Sequence, residues 1–132
     1  MAISRATFLS PPDFHRLEWA CRTIHDAFGE PPYLVGSVLT RPDFRDIDLR
    51  LILDDDAVKR LCGASGIHGG GNQDAVRLLL NIALSDLITK LAAPPAPIDF
   101  QIQSQTEANA EPGRGRNPMG IRHLIRHQNE GA

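Results

Sequence analysis

A chain of 132 residues, 42% of them hydrophobic, is long enough to bury one core and too short to divide comfortably into two domains. A net charge of −2 and an isoelectric point near 6.2 argue against attraction of the whole molecule to nucleic acid, while leaving room for a local basic patch. No apolar run approaches the ~20 residues that span a bilayer, and no basic start leads into an apolar signal core, so the expectation is a cytoplasmic protein with no membrane partner.

In chain order, Ser10 reads as an N-cap with Pro11 and Pro12 in the first turn, and Leu17, Ala20, Cys21, Ile24 and Phe28 then recur at helical spacing. The pattern predicts a helix from about Pro11 to Phe28, with Trp19 and Phe14 anchoring its packing. Gly29 suits the position after it and Pro31-Pro32 bar its continuation, so a short strand should follow at Tyr33 to Val35. From Asp46 to Leu53 the residues alternate, with Ile47, Leu49, Leu51 and Leu53 on one face and Asp46, Asp48 and Arg50 on the other. Asp54, Asp55 and Asp56 lead into a short helix carrying Lys59 and Arg60, and Gly63 to Gly71 reads as a flexible loop.

Asn72 is placed to cap a second long helix. Val76, Leu79, Leu80, Ala83, Leu84, Leu87, Ile88 and Leu91 form its apolar stripe, expected to pack on the sheet. Pro94, Pro95 and Pro97 end it, and Ile98, Phe100 and Ile102 then alternate with Asp99, Gln101 and Gln103 in another strand. The expected architecture is therefore α/β of the α+β kind, a small mixed sheet with helices on one face, over residues 1–110. Residues 111–132, with Arg114, Arg116, Arg122 and Arg126 opposed only by Glu111 and Glu130, are expected to form a basic mobile tail or docking arm.

Cys21 and Cys62 lack the spacing of a zinc or redox motif and read as small buried or half-buried side chains. His123 and His127 are four apart, but without a third ligand the pair reads as incidental, and His68 reads as a polar loop residue.

Two carboxylates at i and i+2 on a strand point the same way, so Asp46 and Asp48 can converge on a hard cation such as Mg²⁺ or Mn²⁺. Asp99, on the polar face of a second strand, supplies a third carboxylate for a two-metal arrangement, and without metal the three would repel one another. Gly36 and Ser37 end the Tyr33–Val35 strand, where glycine allows close backbone approach to a phosphate and a serine hydroxyl can bond to it. Arg41, Arg45 and Arg50 have two readings, as phosphate contacts or as neutralisers of Asp43, Asp46, Asp48 and the Asp54 to Asp56 run. Gln101 and Gln103 read as exposed strand-face polar residues.

The series Tyr33-Leu34-Val35-Gly36-Ser37, Asp46-Ile47-Asp48-Leu49 and Ile98-Asp99-Phe100 resembles the nucleotidyltransferase superfamily related to DNA polymerase beta, especially its minimal members, over roughly Tyr33 to Gln103. The resemblance implies that Asp46 and Asp48 hold two metal ions, that Asp99 shares one and helps to activate an acceptor hydroxyl, and that Gly36 and Ser37 hold the triphosphate; Arg45 is added to the nucleotide-binding set on its own phosphate-contact reading. It implies transfer of a nucleoside monophosphate from a nucleoside triphosphate, with pyrophosphate released, to an unspecified acceptor: protein, RNA or small molecule. A homo-oligomer or a helical partner protein is compatible with so small a member. The chain departs from the family in a shorter Ser37 to Asp46 segment containing Pro42, and in Arg45 where a small residue is usual. The alternative reading keeps the fold as a catalytically inactive nucleotide-sensing or partner-binding module.

Overall fold

The chain is described here from a computed structural model, over residues 7–62, 74–111 and 115–122. Helix α1 spans Pro11–Phe28; Ser10 accepts from Asp13 N, proline fills the first turn where no intrahelical acceptor is lost, and Gly29 closes the C-terminus. There follow β1 (Tyr33–Val35), a 3-10 turn (Gly36–Leu39), β2 (Ile47–Leu53), α2 (Asp55–Cys62), α3 (Ala75–Ala92), β3 (Ile98–Ser104), α4 (Gln105–Asn109) and β4 (Asn117–Pro118).

One four-stranded sheet has the order β3-β2-β1-β4, with β1 antiparallel to β2 and β4, and β2 parallel to β3. The molecule is thus a mixed α+β fold, as the alternation of its strands implies. Both β2 and β3 bury every second residue. Ile47, Leu49, Leu51, Phe100 and Ile102 join Leu17, Cys21 and Ile24 of α1 and Ile88 of α3 in a single core. The other face of the sheet carries Asp48 and Arg50 from β2 and Asp99, Gln101 and Gln103 from β3, all of intermediate exposure. Cys21 and Cys62 are free thiols buried in the core, as their spacing implies.

Helix α3 departs from the expected packing. Of the stripe assigned to the sheet, Ile88 is buried and Leu80 and Leu84 pack against the core, but Val76, Leu79, Leu87 and Leu91 are exposed. Turned inward instead are Arg77 and Asn81, together with Ala92. The physical reason is that α3 lies beside β3, the outer strand of the sheet, whose backbone groups need partners. Ser85 Oγ accepts from Phe100 N at 3.0 Å, Asn81 Oδ1 accepts from Ile102 N at 2.9 Å, and Arg77 Nη1 donates to Ile102 O at 3.1 Å. A row of polar side chains on the buried side of α3 thereby does what a neighbouring strand would do. The N-cap is Asp74, whose side chain accepts from Arg77 N at 2.9 Å. Asn72, the Gly63 to Gly71 loop, His68, His123 and His127 lie outside the described residues.

This edge arrangement sets a measurable cost. Asn81→Ala is expected to leave the buried Ile102 N–H without its acceptor and to lower stability by about 1–3 kcal/mol. The urea midpoint should fall with an unchanged m-value; a midpoint equal to wild type would contradict this role.

Past α4, the expectation of a mobile tail from residue 111 is corrected over Asn117 to Arg122. Asn117–Pro118 pairs with β1, and Met119 is fully buried. The anchor is Glu18 of α1, itself fully buried, which accepts from Gly120 N at 2.7 Å, Arg122 N at 2.6 Å and Arg122 Nη1 at 3.0 Å. A buried carboxylate demands donors, and this segment supplies three. Gly120, at φ 79°, lies so close to α1 that a Cβ there would come within 2.7 Å of the Cys21 carbonyl. The Arg122 guanidinium also stacks over the Phe14 ring, 5.0 Å from its centroid. Among the described residues, no helix is long and apolar enough to cross a membrane.

Candidate functional site

The antiparallel register of β1 and β2 sets Val35 opposite Asp48, so the next residue, Gly36, arrives against the Asp48 side chain. Gly36 has φ 79°, and a Cβ built on it would fall inside van der Waals contact with Asp48 Oδ2. The Asp48 carboxylate therefore occupies the space that any other residue's side chain would need. The chain then coils into the 3-10 turn, which brings Ser37 to the wall of an open cleft of about 390 Å³, lined also by Arg41, Asp43, Phe44, Arg45 and Asp46.

Across the next strand boundary, the parallel register of β2 and β3 pairs Asp48 directly with Asp99. Both side chains leave the same face of the sheet. The Asp48 carboxyl is held above the usual carboxylate range, chiefly by burial; the nearby charges of Asp99 and Asp46 and a hydrogen bond with Asp99 push the same way, and Arg50 opposes them. Asp46 sits just ahead of β2 and is exposed, on the cleft side of the group. The sheet thus gathers Gly36, Asp48 and Asp99, and Asp46 links them to the cleft that holds Ser37 and Arg45.

Two neighbours are bonded to Asp99: Gln101, which the sequence reads as a surface residue, and Arg50, for which it leaves phosphate contact and charge neutralisation both open. Arg50, only 17% exposed at its side chain, donates through Nη1 to the Asp99 carbonyl at 2.9 Å and through Nη2 to its carboxylate at 3.5 Å. Gln101 Nε2 donates to both Asp99 carboxylate oxygens, at 3.3 and 3.4 Å. The i, i+2 spacing of Gln101 and Asp99 on one strand face was the available signal for that contact.

Of the three arginines, Arg50 is thus committed to Asp99, and Arg41 is paired through two hydrogen bonds of 3.0 and 2.9 Å with Asp43. That pairing holds the Asp43 carboxyl below the ordinary range. Arg45 is the guanidinium on the cleft wall that forms no ion pair among the described residues.

Among the described residues, no three His, Cys, Asp or Glu side chains close into a metal-holding group. The donor chemistry nevertheless suits a hard divalent cation: carboxylate oxygens alone, with the Asp48 charge penalised first by burial and then by Asp99 and Asp46, against the opposing Arg50. Asp46, Asp48 and Asp99 are the carboxylates that would hold one, with Asp46 nearest the cleft. No protein-family model, curated protein or solved structure matches the chain.

Proposed function

We propose that this protein is a metal-dependent nucleotidyltransferase, moving a nucleoside monophosphate from a nucleoside triphosphate to an acceptor hydroxyl. The observation that carries the reading is the fit of Gly36 against Asp48, with Asp99 in register beside it. A bare glycine at a strand end, a carboxylate occupying its side-chain space and a second carboxylate one strand away make a compact, strongly acidic corner. Burial and the charges of Asp99 and Asp46 raise the Asp48 carboxyl against the opposing Arg50, a cost that bound positive charge at this corner would offset.

Mg²⁺ or Mn²⁺ held by Asp48 and Asp99, with Asp46, would offset charge on the phosphate oxygens as they react. The chain's own groups do the rest. Ser37 Oγ and the Gly36 backbone supply contacts for phosphate oxygens, and Arg45 offers from the cleft wall a guanidinium that forms no ion pair among the described residues. Gln101 and Arg50 fix the Asp99 carboxylate, which receives or orients the acceptor hydroxyl proton for in-line attack on the α-phosphate.

One observation favours the second reading, a nucleotide-sensing module without turnover: the Asp99 carboxylate is already engaged by Arg50 and Gln101. The two readings separate in one pair of experiments. Mg²⁺ or Mn²⁺ together with a nucleoside triphosphate is expected to raise the melting temperature by binding the folded state, and Asp48→Asn should reduce that shift. Pyrophosphate release with candidate acceptors supports transfer; binding without release supports the sensing module. Absence of metal-dependent nucleotide binding across the common triphosphates would remove both.

A further inference from the structure

Helix α3 turns toward solvent a patch that an isolated molecule gains nothing by exposing. Leu79 is 66% exposed, Ile82 59% and Val76 47%, with Leu78, Leu87 and Leu91 beside them. Scattered surface leucines need no explanation, but a contiguous apolar patch on one helix does. The sequence across it, Ala75-Val76-Arg77-Leu78-Leu79-Leu80-Asn81-Ile82-Ala83, reads nearly the same in both directions about Leu79. Val76 corresponds to Ile82 and Ala75 to Ala83, all four exposed, while Arg77 and Asn81 correspond as the two side chains turned inward onto the edge of β3. A two-fold interface needs a patch complementary to itself, in which residue i of one copy meets residue j of the other and j meets i. A near-palindrome on a helix meets that condition when two such helices lie antiparallel.

We propose that this face is a homodimer interface, in which α3 packs antiparallel against α3 of a second copy. Leu79 meets its own counterpart on the two-fold axis, Val76 lies against Ile82, and Ala75 against Ala83. The alanines at both ends let the helices approach to about 8–10 Å.

Charge argues for a second copy over a different partner. From Ala75 to Ala83 the one charged residue is Arg77, 1% exposed and paired with Glu107 at 2.6 Å, so the patch offers an acidic or basic partner nothing to match. At one end of the patch the half-buried Asp74 is held as the helix cap, accepting from Arg77 N at 2.9 Å, and past the other end the exposed Asp86 and Lys90 pair at 3.0 Å, so neither end presents an unpartnered like charge to a second copy. Six exposed apolar side chains make a contact smaller than the ~800 Å² per partner of a standard interface, so a reversible dimer is expected, with a dissociation constant on the order of micromolar. The inference rests on α3 alone and is independent of the proposed activity.

Sedimentation velocity on the full chain from about 1 to 100 μM is the test, a range that brackets a micromolar equilibrium. The expected result is a shift from monomer to dimer mass across it. Leu79→Glu sets two carboxylates on the axis and should remain monomeric throughout, with an unchanged circular dichroism spectrum because Leu79 lies outside the core. Under mild oxidation, Leu79→Cys should form a disulfide-linked dimer, whereas Thr89→Cys, exposed farther along the same helix, should not. A wild type that stays monomeric over the whole range, a Leu79→Glu variant that dimerises like wild type, or equal cross-linking of the two cysteine variants would each overturn the proposal.

Discussion

Gly36→Val is expected to destabilise the domain by about 2–6 kcal/mol and to abolish metal-dependent nucleotide binding. Two costs add. A β-branched residue at φ 79° sits in the left-handed region, at roughly 1–3 kcal/mol. The new Cβ must also displace Asp48 Oδ2, and forcing extra atoms into an occupied site costs about 1–3 kcal/mol. The second cost falls on function, because Asp48 can yield only by rotating its carboxylate away from Asp99 or by moving the backbone of β2. Thermal melts of Gly36→Val and Gly36→Ala, with and without Mg²⁺ and nucleotide, measure both effects. Alanine should lie between glycine and valine in stability while losing most of the ligand-induced shift. A Gly36→Val variant that binds nucleotide like wild type would show that the contact between Gly36 and Asp48 has no part in the site.

The second large effect is expected at Asp99. Asp99→Asn keeps the size of the side chain and removes its charge, so the fold should hold: the ion pair lost with Arg50 is weak at 3.5 Å, and the Asp99 side chain is 48% exposed. If Asp46 and Asp48 carry most of the phosphate-bound metal while Asp99 serves the metal at the acceptor, nucleotide binding should change only a few-fold. Transfer should fall on the order of 10²-fold or more, the usual consequence of removing a positioned proton acceptor or electrostatic group. Pyrophosphate release and nucleotide titration on the same preparation resolve the two. Transfer at the wild-type rate would refute the role of Asp99, while a parallel loss of binding and transfer would make it a nucleotide ligand and not the group that serves the acceptor.

The strand chemistry of the site was legible because it depends on period alone. Alternation in Asp46 to Leu53 and in Ile98 to Gln103 fixed which residues would be buried, and it put Asp48 and Asp99 on polar faces whatever the partner strands. The boundaries of α1 were equally legible, since Ser10, the two prolines and Gly29 act within a turn of themselves. The burial of α3 was not. Its apolar residues run almost all the way round the helix, so periodicity could not single out the face that packs, and the choice fell to Arg77, Asn81 and Ser85, which meet a strand edge. The docking of residues 117–122 was hidden for a related reason: Glu18 looks like an ordinary helix-surface acid until a segment 102 residues away delivers Gly120 N to it.

The sequence by itself therefore determined the α+β class, the limits of its first helix and of β1, and which acids and which glycine form the candidate site, because these follow from interactions within a few residues. Only the tertiary structure decided that Val35 stands opposite Asp48 and Asp48 opposite Asp99, that Arg50 and Gln101 hold Asp99, and that the outer side of α3 is left apolar. Strand register and edge satisfaction are pairings between distant segments, and the free energy that selects them comes from backbone hydrogen bonds and buried area shared across the whole sheet, which no local pattern encodes.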